Sequence, residues 1–211
     1  ALVMSGATIK ELSLPTERKN NSYFSVKEAV FPFSKFPEVD VLLGPEMKST
    51  GEVMGFGKSF GEAYFKAQRA AGVILPKTGN VFISVRDHDK EPICEVAAEL
   101  INMGFDIYAT SGTYLHLKES GVSCTKINKV KDGHPHIVDM IKNNEVHLII
   151  NTTEGARSIK DSFSIRKEAQ NHKISLTTTV SGAKAFCKAI KFIDDFDAVD
   201  LKLRHESLTV N

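Results

Sequence analysis

Strand-like and helix-like patterns alternate after residue 80, and this alternation most constrains how the chain can fold. Short apolar runs with strand character recur there, separated by segments whose apolar residues repeat with the spacing of a helix. Short links between the two kinds of element predict an α/β fold, an open five-stranded and mainly parallel sheet with helices on both faces. The predicted strands are residues 81–85, 105–110, 122–127, 146–153 and 174–179.

The sequence before residue 79 is less regular. Residues 23–33 have strand character, residues 42–55 contain glycine breaks typical of a loop, and residues 58–72 have a helical pattern. A helix-like segment is already under way at residue 1, where no initiator Met stands, so we expect a piece of a longer chain. We place the domain boundary between residues 1–78 and 79–211. The predicted buried stripe of the helix is Phe60, Ala63, Tyr64, Ala67 and Ala71.

Composition excludes several classes of protein. The chain has 211 residues, 42% of them hydrophobic and 25% charged, and its formal net charge of +1 gives no support for a nucleic-acid or membrane-surface partner. No apolar run is long enough to span a bilayer, and the first residues lack the pattern of a signal peptide. The cysteines are Cys94, Cys124 and Cys187, whose spacing and apolar neighbours predict buried thiols in the reducing cytoplasm.

Small polar and basic residues gather where the predicted parallel strands end, which is where such sheets bind ligands. The stretch "YATSGTYL" at residues 108–115 places hydroxyls and backbone N–H groups between a strand and a helix. Lysine charge with hydroxyl and amide donors suits a phosphorylated small ligand. The alternative is that each residue only caps its own helix. The candidate residues are Ser84, Lys90, Thr110, Ser111, Gly112, Thr113, Lys129, Asn151, Thr152, Thr153 and Ser162.

The site residues suggest binding rather than reaction, because no carboxylate pair and no Cys–His or Ser–His arrangement stands out near these turns. His134 and His136 form a His-x-His pair that could bind a metal, but no third ligand shares their spacing. We therefore predict no metal site there. The pair is better explained as a helix start with Pro135 at the first helical position.

Several stretches resemble a known family. Two of them resemble the end of the second ATP-grasp half of the carbamoyl phosphate synthase large subunit: "FPEVDVLLGPEMKSTGEVMG" and "FGEAYFKAQ". Four others resemble its C-terminal regulatory domain, which has the methylglyoxal synthase-like fold: "SVRDHDK", "YATSGT", "INKVKDGHPHI" and "NTTEGARSIKDSFSIRKEA". The resemblance implies an α+β remnant of an ATP-grasp domain followed by the allosteric domain.

The resemblance also implies a function. The whole enzyme makes carbamoyl phosphate from glutamine, bicarbonate and two ATP, for arginine and pyrimidine biosynthesis, with Mg and K as cofactors and a glutamine amidotransferase small subunit as partner. The regulatory domain of bacterial members binds UMP or IMP, which places the phosphate at Lys90, Thr110 and Thr113 and the rest of the nucleotide at the other candidate residues. We expect this piece to bind effectors without catalysis and without a cofactor of its own, and to be able to self-associate.

Ornithine is the second effector that the resemblance implies, at the junction of the two domains. The matching positions are Glu28, Phe31, Leu43 and Thr178. Two departures bear on these assignments: Ala156 precedes Arg157 where the family carries two arginines, and Thr177 replaces a familiar Asp.

Three alternatives remain. A methylglyoxal synthase acting on dihydroxyacetone phosphate has the same fold, but its catalytic Asp follows two glycines, whereas Asp132 precedes a single one. The cyclohydrolase half of the last purine-synthesis enzyme has a similar fold but does not account for residues before 72. A ligand-free interaction module is the third.

Overall fold

A computed structural model describes residues 1–13, 23–36, 39–195, 197, 198, 200 and 202, with the side chains of Ser34 and Arg157 outside this description. The chain begins with two strands, β1 (Phe24–Val30) and β2 (Gly51–Gly57), which pair antiparallel. Helix α1 (Phe60–Ala70) follows, begun by Ser59, whose hydroxyl accepts from the Glu62 N–H, and ended by Gly72 with φ +84°.

The main sheet has five parallel strands, which confirms the predicted fold class. They are β3 (Gly79–Ser84), β4 (Phe105–Thr110), β5 (Thr125–Ile127), β6 (Leu148–Asn151) and β7 (Ser175–Thr177), in the order β5-β4-β3-β6-β7. The helices are α2 (Lys90–Asn102), α3 (Ser111–Glu119), α4 (Ile137–Lys142), α5 (Gly155–Asp161), α6 (Phe163–Asn171) and α7 (Val180–Ile190). Short 3₁₀ turns span Phe33–Lys35, Asp87–Asp89 and Val130–Asp132.

Successive residues of the central strand β3 enter two different cores, because side chains alternate across a strand. Val81 and Ile83 join the cluster formed with α2, α3 and α7, whereas Phe82 joins the one formed with α4 and α6. Both faces of the sheet are therefore covered, and the strand ends are left open for a ligand.

The first part of the chain packs closely on the sheet domain. Phe65 of α1 belongs to the same buried cluster as β3 and α7. At Gly61, an added Cβ would lie 2.6 Å from the Lys188 carbonyl oxygen, so only glycine allows α1 to approach α7 this closely. The Arg166 guanidinium on α6 also bonds both carboxylate oxygens of Asp40. Residues before and after the predicted boundary at residue 78 therefore belong to the same hydrophobic core.

Four local predictions were wrong. Residues 2–6 and 9–13 form turns rather than a helix. The predicted loop at 42–55 ends in strand β2, where Gly55 makes room for α1 instead of ending the strand. The pattern of residues 158–173 predicts one helix, but the structure has two there, with Ser162 between α5 and α6. Phe60 is 37% exposed, and Phe65 takes the buried position.

The cysteine prediction is met in part, since Cys187 is buried while Cys94 and Cys124 are partly exposed. Burial raises the pKa of the Cys187 thiol to about 12. Within the part of the chain that is described, no helix combines the length and apolar character needed to cross a membrane.

Candidate binding site

A cavity of about 540 Å³ opens at the carboxyl ends of β3, β4 and β6, which is a typical size for a small-molecule site. Parallel pairing sets these ends side by side, with Ile83 opposite both Ala109 and Ile150. Nearly all of the predicted nucleotide residues line it: Ser84, Lys90, Thr110, Gly112, Thr113, Lys129, Asn151, Thr152 and Ser162. Ser111 and Thr153 are not among the lining residues.

The Thr110 hydroxyl does not cap the helix that Thr110 begins. Thr110 occupies the N-cap position of α3, yet no side-chain cap bond forms there. Its Oγ1 lies 3.0 Å from Ser84 Oγ instead, which ties the ends of β4 and β3 together. Only one of the two hydroxyl protons is used between them, so the pair retains a donor for a ligand.

The Thr113 hydroxyl can likewise accept one hydrogen bond within the protein and donate another to a ligand. Its Oγ1 accepts a hydrogen bond from the Val85 N–H at 3.2 Å, and Thr113 is 2% exposed. Because the oxygen acts as acceptor in this bond, its own proton remains available to an anion in the cavity. Thr152 holds the same loop from the other side by accepting from the Arg86 N–H at 3.1 Å.

The side-chain oxygen of Asn151 is a buried hydrogen-bond acceptor without a donor in the described part of the chain. The residue is 2% exposed, and its Nδ2 donates to the Ser84 carbonyl oxygen at 3.3 Å. Its Oδ1 is buried and has no hydrogen-bond partner among the described residues. Leaving such an atom unpaired costs about 1–3 kcal/mol, so a donor on a ligand would be favoured there.

Positive charge outnumbers negative charge around the cavity. Lys90 Nζ lies 2.7 Å from Asp87 Oδ1 and beside Gly112, where an added Cβ would stand 3.5 Å from Nζ. The hydrogen bond and charge of Lys90, with a smaller contribution from Lys129, lower the pKa of Asp87. The lining cations are Arg86, Lys90, Lys129 and Lys131, and the lining carboxylates are Asp87, Glu154 and Asp161.

Some lining residues were missed from the sequence. Lys131 forms an ion pair with Asp161, with Nζ 2.5 Å from Oδ1, across the mouth of the cavity. Ile137 and Ile165 provide an apolar wall suited to a ring. The spacing of these residues in the sequence does not indicate that they line one cavity, because their positions depend on how α4, α5, α6 and the 3₁₀ turn at Val130–Asp132 pack together.

The four residues predicted for ornithine lie outside this cavity. Burial raises the pKa of Glu28 on β1, although a hydrogen bond with Gln68 partly opposes this effect. Leu43 is 64% exposed, and Thr178 directly follows β7. The ornithine site stays a prediction.

The structure corrects the interpretation of His134 and His136 in two respects. His136 begins α4 as its N-cap, but the first helical position is Ile137, and Pro135 precedes the cap. A third candidate ligand is also present, since Asp139 brings a carboxylate to both imidazoles and the three ligand atoms lie within 4.8 Å of one another. One turn of helix creates a proximity that the His-x-His spacing alone does not reveal.

Comparison with known proteins gives a consistent picture. Residues 92–178 match the model of the MGS-like domain. The chain is 58% identical over 192 residues to the carbamoyl phosphate synthase large chain of Pseudomonas syringae, covering 91% of this chain and 18% of that one. It is 49% identical to the Xanthomonas campestris protein of the same name, over 99% of this chain and 19% of that one.

A third relative carries a more specific name. The "Carbamoyl phosphate synthase large chain, C-terminal section" of Aquifex aeolicus is 54% identical over 180 residues, covering 85% of this chain and 33% of the relative. The chain thus spans about a fifth to a third of the length of these relatives. We conclude that residues 92–178 form an MGS-like domain and that the chain is homologous to the C-terminal section of carbamoyl phosphate synthase large chains.

Proposed function

We propose that the cavity binds a nucleoside monophosphate, UMP or IMP, as an allosteric effector of a carbamoyl phosphate synthase. The observation that carries the proposal is the buried, unpaired Oδ1 of Asn151 within a cavity that also contains lysines and free hydroxyl protons. A nucleotide has groups that complement each of these features.

The phosphate would lie at the end of β4. Thr110 and Thr113 offer hydroxyl donors there, and Lys90 adds charge next to Gly112. Lys129 lines the same cavity and adds a second positive charge. The sugar hydroxyls or the base edge would then donate to Asn151, with the base against Ile137 and Ile165.

In the whole enzyme this piece would regulate and not catalyse. We assign the synthesis of carbamoyl phosphate from glutamine, bicarbonate and two ATP, with Mg and K, to the remainder of the large chain and its amidotransferase partner. A nucleotide can regulate only by binding one arrangement of the two parts more tightly than another. The shared core of α1 and α7 and the Asp40–Arg166 ion pair are the contacts through which such a preference could act. Ornithine would act from the Glu28 side of this junction.

The methylglyoxal synthase alternative receives less support. Asp132 is not among the residues lining the cavity, and its Oδ2 accepts from the Lys129 N–H at 3.3 Å. Of the carboxylates that do line the cavity, Asp87 and Asp161 are each paired with a lysine. Asp132, Asp87 and Asp161 are therefore poorly placed as a free base for dihydroxyacetone phosphate.

Titration calorimetry with UMP, IMP and uridine tests the proposal. We expect saturable binding of a nucleotide and much weaker binding of uridine, because uridine lacks the phosphate. Thr110→Val should weaken nucleotide binding about tenfold to a hundredfold, as removing a hydrogen bond to a charged group costs about 1.5–3 kcal/mol. The control is Thr125→Val, an exposed threonine on β5, which should bind as the unmodified chain does. Equal binding of uridine and UMP would refute a phosphate site.

A further inference from the structure

His134, His136 and Asp139 form a cluster outside the cavity that the proposed function does not use. Both imidazole Nδ1 atoms face the same carboxylate oxygen: His134 Nδ1 lies 2.7 Å and His136 Nδ1 3.1 Å from Asp139 Oδ2. The two rings are 4.4 Å apart between centroids and tilted by 34°. Three good ligand atoms are thus gathered at one point.

His136 and Asp139 already meet as a capping box at the start of α4. The bond that His136 Nδ1 accepts from the Asp139 N–H is 3.4 Å long, so it engages the lone pair of this nitrogen only weakly. The same nitrogen lies 3.1 Å from Asp139 Oδ2. Either a proton or a metal ion between these two atoms would link them, and a metal ion would in addition bind His134 Nδ1.

From these contacts we propose that His134, His136 and Asp139 bind a divalent transition-metal ion such as Zn²⁺. Imidazole nitrogen and carboxylate oxygen are ordinary zinc ligands, with bond lengths of about 2.0–2.2 Å. Ligand atoms in a tetrahedral site then lie about 3.3 Å apart. The His136 Nδ1–Asp139 Oδ2 distance of 3.1 Å is close to this value, whereas the His134 ring would have to move outwards from its present 2.7 Å. Three protein ligands leave a fourth position for water.

The surroundings suit such a site. The backbone N–H of His136 donates to Asp139 Oδ2 at 2.9 Å and so fixes the carboxylate, as outer hydrogen bonds commonly do for metal ligands. The His136 side chain is 9% exposed and held in place, whereas that of His134 is 77% exposed and can rotate towards the ion. The site depends on these side chains and not on the dipole of the six-residue helix α4.

Zinc titration of the whole chain tests this proposal, with Co²⁺ absorption as a second readout. We expect one Zn²⁺ per chain and visible Co²⁺ bands. Cys94→Ser and Cys124→Ser should be present in the background so that thiols do not compete. His134→Ala should lower the affinity at least tenfold without unfolding the chain, because that side chain is exposed.

Two further variants separate ligation from structure. His136→Asn keeps an N-cap residue on α4 but removes the ligand, so the increase in melting temperature on adding Zn²⁺ should disappear. The matched control is His172→Ala, which should bind Zn²⁺ normally. His172 Nε2 lies 3.8 Å from Glu168 Oε2, but among the described residues no third candidate ligand joins this pair. The proposal is overturned if Zn²⁺ fails to bind, or if it binds equally well after both His134→Ala and His136→Asn.

Discussion

Asp40 and Arg166 connect the first part of the chain to the sheet domain, and removing the Asp40 carboxylate should strongly destabilise the fold. Arg166 Nε and one terminal nitrogen bond the two oxygens of Asp40 at 2.8 and 2.5 Å, and the same terminal nitrogen also donates to the Ile159 carbonyl. The Arg166 side chain is only 1% exposed. Asp40→Ala would leave this buried charge without a counter-ion.

The size of the effect follows from burial. Removing one partner of a fully buried ion pair costs about 3–5 kcal/mol, whereas exposed pairs contribute about 0–1 kcal/mol. Asp40 is 25% exposed, so water can partly replace its carboxylate, and we expect a loss of about 2–4 kcal/mol. Arg166→Met combined with Asp40→Ala should be less damaging than Asp40→Ala alone, because no unpaired charge is then buried.

Urea denaturation followed by circular dichroism measures these differences in the free energy of unfolding. The control is Glu52→Ala, which breaks an exposed pair with Lys27 whose atoms are also 2.5 Å apart, and it should cost less than about 1 kcal/mol. The buried pair does not stabilise the fold as expected if Asp40→Ala costs no more than Glu52→Ala, or if the double variant is less stable than Asp40→Ala alone.

The same pair predicts a pH dependence. Burial of Asp40 favours its neutral form, but the hydrogen bonds and charge of Arg166, with smaller help from Leu42 and Lys48, lower its pKa below the ordinary value. The stabilisation is therefore present above the unfolded pKa of about 3.9 and is lost as the pH falls through the lower pKa of the folded state. The difference between the unmodified chain and Asp40→Ala should shrink below about pH 4.

Two further predictions concern packing and thiols. Gly55→Ala should lower the free energy of unfolding by about 2 kcal/mol or more, because the added Cβ would lie 2.0 Å from the Ala63 carbonyl oxygen. Gly51→Ala on the same strand should be tolerated, because its added Cβ meets nothing within 4 Å, and chemical denaturation compares the two variants. Ellman's reagent at pH 8 should label at most Cys94 and Cys124 in the folded chain, and Cys187 only after unfolding, since its pKa is about 12; rapid labelling of all three thiols would contradict this.

The sheet could be predicted because its strands carry a local pattern. The predicted strand at residues 105–110 has the same bounds as β4, since Phe105, Ile107 and Ala109 alternate with less buried residues and Gly104 precedes them. Strand β2 was missed because Gly51 and Gly55 resemble breaks. Gly55 is in fact required by the approach of α1, which no local pattern can reveal.

The residues at the strand ends could also be predicted to form one site, whereas those brought in by tertiary packing could not. Parallel register brings consecutive strand ends together, so Ser84, Thr110 and Asn151 could be grouped from sequence alone. Lys131 and Asp161 meet through packing of a 3₁₀ turn against α5, which depends on tertiary structure. The contact of Asp139 with two histidines likewise needs the start of α4 to be known to within one residue.

An NMR titration of the isotope-labelled chain with UMP is the decisive experiment on the strand-end cavity, because it locates the ligand as well as detecting it. We expect the backbone amide signals of Val85, Thr113, Lys129 and Thr152 to shift in a saturable way, while those of strand β1 do not. Saturable shifts confined to β1 and α1, or an unchanged spectrum at millimolar UMP, would contradict the assignment of the strand-end cavity as a nucleotide site.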